Sequence, residues 1–100
     1  MLKQYCATTV ANTQATLFTV ANSKQLAVLS VELYGGTNGG QVTFVRNNGS
    51  SDVFTQVVPV SANTYVSIDC KSFFESGWSL KQTGSAAGIQ IAVNGDLVDA

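Results

Sequence analysis

The feature that most constrains the fold of this chain is a regular alternation of residue types within short segments. In the longest segment, Leu26–Tyr34, every odd-numbered position is apolar, whereas the even-numbered positions become polar towards Glu32 and Tyr34. A period of two residues places successive side chains on opposite faces of a β-strand, whereas a helix repeats every 3.6 residues. We therefore predict that this segment is a half-buried strand with one continuous apolar face.

Similar segments recur at intervals of roughly ten residues, with turn-forming residues between them. The predicted strands are Leu2–Val10, Thr16–Val20, Leu26–Tyr34, Gln41–Asn47, Val53–Val60, Tyr65–Cys70, Trp78–Lys81 and Ile89–Val93. Evenly spaced short strands without a helical segment indicate an all-β protein. We predict one domain over residues 1–100, folded as a single antiparallel β-sandwich or jelly-roll-like barrel of seven or eight short strands.

The segments between the strands give further expectations. Asn47–Ser51 has the composition of a tight hairpin turn, and Pro59 restricts its strand to an edge, an end or a bulge. We expect Gly35–Gly40 to be a hairpin loop, and Phe73–Gly95 to contain the last hairpin of the fold. A short helical turn or an irregular corner is expected over residues 71–76 and a polar tail over residues 96–100.

The low charge of the chain bears on its partners. Asp, Glu, Lys and Arg make up 11% of the residues, against about 25% in a typical soluble domain. Because desolvating charges is costly, a surface poor in charge suits a protein that is covered by neighbouring copies. The alternative is a soluble monomer with a surface rich in Ser, Thr and Asn. The net charge of −1 and the short apolar runs give no indication of a nucleic-acid or membrane partner.

The residues that usually carry catalysis are scarce. The chain has no histidine, so the common nucleophile triads and zinc sites lack an essential residue. Gly35–Gly40 lacks the lysine and the following helix of a phosphate-binding loop. We therefore predict that the protein is not an enzyme and has no catalytic residue, cofactor-binding site or metal site. Cys6 and Cys70 are predicted to be free thiols, because a disulfide would require neighbouring strands and an oxidising compartment.

The order of the segments also resembles that of a protein family. The matching parts are Ala15–Val20 (Ala-Thr-Leu-Phe-Thr-Val), Leu26–Gly40, Val42–Val60, Phe73–Leu80, Ser85–Ala87 and Ile89–Gly95. Together they resemble the small β-sandwich or jelly-roll structural proteins of tailed bacteriophage virions. The resemblance implies a structural protein of the capsid, neck or tail, most often a capsid decoration or cement-type homo-oligomer, commonly a trimer. Implied partners are further copies of the chain and major capsid or tail proteins.

On this interpretation the protein is assembled in the cytoplasm of the bacterial host and is located in the virion. Strand alternation leaves four apolar or aromatic side chains on faces opposite the expected core. These candidate interface residues are Tyr34, Phe54, Val58 and Tyr65. The alternative is a tail-associated receptor- or glycan-binding module. In that case Tyr5, Tyr34, Tyr65 and Trp78 would supply aromatic rings for stacking, a role that the sequence does not separate from a protein interface.

Overall fold

A computed structural model describes residues 4–10, 12–85 and 88–100, apart from the side chain of Cys70. These residues form eight β-strands. The strands are β1 (Gln4–Thr9), β2 (Ala15–Thr19), β3 (Lys24–Tyr34), β4 (Gly40–Asn47), β5 (Asp52–Val60), β6 (Tyr65–Phe74), β7 (Ser79–Gly84) and β8 (Gln90–Asp99). The described part of the chain includes no helix that could cross a membrane.

The strands form two four-stranded antiparallel sheets that pack face to face. The first sheet has the order β1-β8-β3-β6 and the second has the order β2-β7-β4-β5. The first strand thus pairs with the last, the second with the seventh, the third with the sixth and the fourth with the fifth. This nested pairing is that of a jelly roll, and it confirms the predicted antiparallel β-sandwich.

The connections show which predicted hairpins form. β4 and β5 are neighbours in one sheet, and the Asn48 N–H donates to the Ser51 carbonyl at 3.1 Å, which confirms the predicted turn. The hairpin expected within Phe73–Gly95 is wrong, because β7 and β8 lie in different sheets. Gly35–Gly40 likewise joins strands of opposite sheets. Apart from the β4–β5 turn, nested pairing makes all the connections between consecutive strands cross from one sheet to the other. The residues of a turn do not reveal whether it crosses.

Three strands extend further at their C-terminal ends than the sequence predicts, and one of them, β7, continues to Gly84 beyond its predicted end at Lys81. β6 continues through most of residues 71–76 and ends at Phe74, and β8 continues to Asp99 through the expected tail. The end of β8 pairs with the start of β3, where Lys24 forms an ion pair with Asp99. Pairing with β3 therefore keeps both segments in strands, although their own sequences were expected to be irregular.

A β-bulge in β3 changes which face of the strand is buried. Leu26 and Val28 face the core before the bulge, and Val31 and Leu33 face it afterwards. The predicted apolar face of odd-numbered residues is therefore correct only in the second half of the strand. Gly95 lies opposite the bulge. A Cβ atom at this position would lie only 2.2 Å from the carbonyl oxygen of Ala27 on β3. Only glycine fits this close approach of two strands.

The core lies between the two sheets and is formed mainly by Val, Leu, Ile and Phe. Its most completely buried side chains are Leu26, Leu33, Ile89, Ile91, Val10, Val20, Val42 and Val93. A few polar side chains are buried with them, and the Asn94 amide donates to the Ser30 hydroxyl at 3.1 Å. This hydrogen bond satisfies two polar groups beside the bulge and so reduces the cost of burying them.

Candidate functional site

Two of the predicted interface residues meet on the outer face of the first sheet. Tyr34 on β3 and Tyr65 on β6 are direct cross-strand partners, with side chains 39% and 59% exposed. The Tyr34 hydroxyl donates to the Asn63 carboxamide oxygen at 3.5 Å. The two rings and the neighbouring Glu32 are referred to below as the tyrosine face.

Glu32 interacts with the hydroxyl of the second ring. The Tyr65 hydroxyl donates to the Glu32 carboxylate, and this hydrogen bond is the main reason why the pKa of Tyr65 is raised. Partial burial and the negative charge of Glu32 act in the same direction, whereas a hydrogen bond with Ser67 acts in the opposite direction. The carboxylate therefore holds the phenol in its neutral, hydrogen-bond-donating form.

The tyrosine face forms one wall of a broad, open groove of about 520 Å³ that crosses the strands of the first sheet. The groove is lined by small, amide, acidic and aromatic side chains, among them Ala7, Thr9, Glu32, Tyr34, Tyr65 and Gln90. Exposed tyrosines beside hydrogen-bonding groups can contact a sugar ring or another protein. The geometry of this groove is therefore compatible with both ligand classes.

A second exposed surface lies along β5, the outermost strand of the second sheet. Val53, Phe54 and Val57 expose 48%, 59% and 50% of their side chains. Pro59 lies near the end of the same strand, which confirms its predicted edge or strand-end position. We call this surface the β5 edge. It combines unpaired backbone groups with apolar side chains, an arrangement that favours association.

The prediction that Val58 lies on an exposed face is wrong. Val58 is 7% exposed and belongs to the core, whereas Phe54 is exposed as predicted. Both side chains line the same cavity between the sheets, so both belong to the inward face of β5. Phe54 nevertheless stays 59% exposed at the mouth of this cavity, where its cross-strand partner is Arg46 on β4. The prediction therefore placed the side chains of Phe54 and Val58 on the wrong face of β5.

Arg46 on β4 is a functional candidate that the sequence did not indicate. Its guanidinium carbon lies 4.2 Å from the centre of the Phe74 ring and 4.8 Å from that of Trp78. The guanidinium also donates to the Phe73 carbonyl on β6, so it bridges the two sheets. The sequence pattern does not distinguish this arginine from an ordinary exposed residue of a strand. Its contacts with Phe74 and Trp78 depend on tertiary structure.

The other two predicted stacking aromatics lie apart from the tyrosine face. The Tyr5 ring packs edge-on against Phe18, with their centres 5.6 Å apart. Trp78 is half-buried against the core beside Arg46. The structure therefore brings together only Tyr34 and Tyr65 of the four aromatic residues predicted for glycan binding.

Cys6 is a free, half-buried thiol, and burial raises its pKa. Cys6 lies on β1 and Cys70 on β6, the two opposite edges of the first sheet. Three strand spacings separate their backbones by about 14 Å. This separation is beyond the roughly 7 Å limit for a disulfide within one chain.

Among the described residues, no group of three or more Cys, Asp or Glu side chains is placed to hold a metal ion.

Comparison with known proteins gives a structural relation. No protein-family model matches the chain, and no curated protein matches it. Among solved structures, the chain is similar to one from Bacillus endospore appendages, which form a family of disulfide-linked pili. The TM-score is 0.63 at 22% sequence identity, and the match covers 99% of this chain and 87% of that chain. The two chains therefore share a fold over nearly the whole of this sequence.

Proposed function

We propose that this protein is a non-enzymatic structural subunit that assembles with copies of itself through the β5 edge. The observation that carries the proposal is the exposure of Val53, Phe54 and Val57 along an outermost strand. An unpaired strand that also exposes apolar side chains gains both hydrogen bonds and apolar burial when another molecule covers it. The low charge of the chain reduces the desolvation cost of such contacts.

The fold comparison supports repeated self-association. The solved chain to which this chain is similar comes from Bacillus endospore appendages, which form disulfide-linked pili. A repeated assembly needs only modest contacts between neighbours, because each subunit is held by several of them. We therefore propose an extended or shell-like assembly rather than an isolated dimer.

The narrower proposal is that the assembly belongs to a tailed bacteriophage virion. The order of segments that resembles phage decoration, neck and tail proteins supports it. In that setting the β5 edge would contact further copies of the chain or a major capsid or tail protein, and the protein would be located in the virion. Labelling purified particles with an antibody against the chain tests the location by electron microscopy.

The self-assembly proposal is tested by placing charges on the β5 edge. The variant Val53→Lys/Val57→Lys should dissociate the assembly, because lysines on an edge strand repel another strand and cost desolvation. Mass photometry and negative-stain electron microscopy should show the oligomers of the natural sequence replaced by monomers. Thr16→Lys is the matched control, because Thr16 is exposed on β2, the opposite edge of the same sheet.

A natural sequence that remains monomeric over the accessible concentration range would contradict self-assembly through any surface. Equal loss of oligomers in Thr16→Lys would instead show that added charge, rather than the β5 edge, is responsible. Circular dichroism of each variant checks that the strands remain folded.

A glycan-binding module is a second candidate, favoured by the pairing of Tyr34 and Tyr65 in the open groove. The test is a glycan array followed by calorimetric titration of any sugar that binds. Tyr34→Ala and Tyr65→Ala should each abolish binding, whereas Phe73→Ala should not. Phe73 is a suitable control because it is 61% exposed on β6 and is not among the residues that line the groove. Absence of binding across the array would remove this candidate.

A further inference from the structure

A cavity of about 340 Å³ lies between the two sheets, beside β5 and β6. Its lining is mostly apolar and includes Val31, Phe44, Phe54, Val58, Ile68 and Phe74. This volume lies within the usual range for small-molecule sites, which combine apolar walls with a few polar groups. The polar groups here are Arg46, Gln56 and Ser72.

The charge of Arg46 has no counter-ion in this cavity. In the described part of the chain, the ion pairs join Lys24 to Asp99 and Lys81 to Asp52, and neither includes Arg46. The Arg46 Nε atom is buried and has no hydrogen-bond partner among the described residues. Burial also lowers the pKa of Arg46. A partly buried cation without an ion-pair partner is costly, and an anion that contacts the accessible part of the guanidinium would offset that cost.

We propose that this cavity binds an anionic amphiphile, namely an alkyl carboxylate of medium length. The alkyl chain occupies the apolar space between the sheets, and the carboxylate accepts hydrogen bonds from Arg46. Burial of the chain supplies a favourable apolar contribution, and the guanidinium supplies a charge-assisted contact that fixes the orientation.

The shape of the cavity favours a flexible chain over a strand of another copy. Its lining includes Val28 and Val31 of β3 and Leu80 of β7, which are not edge strands. The cavity therefore extends past the edges into the sandwich. An inserted polypeptide would have to leave backbone N–H and C=O groups without partners there, which is costly. An alkyl chain has no such groups.

The protein contains its own reporter, because Trp78 is the single tryptophan and lies 4.8 Å from the Arg46 guanidinium carbon. We would titrate the full chain with sodium octanoate and follow Trp78 fluorescence. The signal should change and saturate, and octanoate should raise the melting temperature, since a ligand of the native state stabilises it. 1-Octanol, which has the same chain without the charge, should bind at least tenfold more weakly. Acetate, which has the charge without the chain, should not bind.

Two variants separate the charge from the cavity. Arg46→Gln should weaken octanoate binding at least tenfold while leaving the affinity for 1-octanol within about threefold. Ile68→Phe, which adds volume to the cavity wall, should weaken both ligands. Val53→Lys/Val57→Lys should bind octanoate like the natural sequence, so this test is independent of self-assembly through the β5 edge.

Absence of a saturable response to octanoate would overturn the proposal. Equal affinities for octanoate and 1-octanol would overturn the role of Arg46 and leave only nonspecific apolar binding. If octanoate does not bind and Arg46→Gln dissociates the oligomers, the cavity is instead filled by a second copy of the chain.

Discussion

The two lateral sides of the sandwich are built from similar strands but pack differently. On the closed side, formed by β1 and β2, the Tyr5 and Phe18 rings meet edge-on at 5.6 Å and join the sheets. On the open side, formed by β5 and β6, the sheets enclose a cavity of about 340 Å³. Arg46 bridges the open side by its hydrogen bond to the Phe73 carbonyl.

The closed side is the better packed and contributes more to stability, whereas the open side carries the proposed functional surfaces. Aromatic side chains that meet across a gap exclude water and contribute to the core. A cation that crosses a gap leaves space beside it, and its partly buried charge still needs a partner to offset the cost of burial. The exposed apolar residues of β5 and the cavity both lie on the open side, so the proposed assembly and ligand sites share the less completely packed part of the fold.

The largest difference is expected between phenylalanines on the two sides. Phe18 is 7% exposed and contacts the rings of both Tyr5 and Phe74, whereas Phe54 is 59% exposed. Phe18→Ala should lower the free energy of unfolding by about 3–5 kcal/mol. Phe54→Ala should lower it by less than about 1 kcal/mol. Urea unfolding followed by Trp78 fluorescence measures both values in dilute, monomeric protein, and equal losses would show that the open side is as well packed as the closed side.

The next largest effect is expected at the Arg46 bridge. Arg46→Met removes the hydrogen bond to Phe73 and the contacts with two rings, which together should cost about 1–3 kcal/mol of unfolding free energy. Lys71→Met is the matched control, because Lys71 is an exposed cation on β6. Chemical denaturation should place the control within about 0.5 kcal/mol of the natural sequence. An unchanged stability in Arg46→Met would mean that the bridge does not hold the sheets together.

Adding one methylene group should have opposite effects on the two sides. Val58 borders the cavity, so Val58→Ile can fill empty space and should stabilise the fold by up to about 0.8 kcal/mol. Val20 is 1% exposed just after β2, so Val20→Ile should overpack the closed side and cost about 1 kcal/mol. Thermal unfolding monitored by circular dichroism compares the two midpoints. A loss of stability in both variants would argue that the cavity is already filled in solution.

The smallest expected effect distinguishes two tyrosines with raised pKa values. Burial is the main cause for Tyr5 on the closed side, whereas the hydrogen bond to Glu32 is the main cause for Tyr65 on the open side. Glu32→Ala should therefore lower the pKa of Tyr65 towards its ordinary value and leave that of Tyr5 unchanged. Nuclear magnetic resonance titration of both rings measures the shifts, and an unchanged Tyr65 would show that the hydrogen bond is absent in solution.

The same two groups give a direction for the pH dependence of stability. Because their folded-state pKa values are raised, the native state retains these protons when the unfolded state begins to lose them. Their stabilising contribution is present below the unfolded pKa, which is about 10 for tyrosine, and it is lost as the pH rises through the folded values. Stability should therefore decline in the alkaline range, and in Glu32→Ala the part of this decline that is due to Tyr65 should become smaller.

The strands themselves could be predicted because their signal is local. Alternation in Gln41–Asn47 correctly placed Val42 and Phe44 inside, and the turn at residues 47–51 joined the one pair of consecutive strands that form a hairpin. The length of β8 was missed because its end is held by pairing with β3 rather than by its own composition. Alternation correctly found the exposed positions of Tyr34 and Tyr65, whereas it assigned both Phe54 and Val58 to the wrong face of β5, and Phe54 is exposed although it faces inward.

The sequence by itself determined an all-β chain with short strands, polar turns, little charge and no histidine, because each of these properties resides in single residues or near neighbours. Tertiary structure decided which strands pair, where β3 bulges, and which side of the sandwich stays open. Those outcomes depend on hydrogen bonds and packing between residues far apart in sequence. The meeting of Tyr34 with Tyr65, and of Arg46 with Phe74 and Trp78, exists only once the nested pairing is formed.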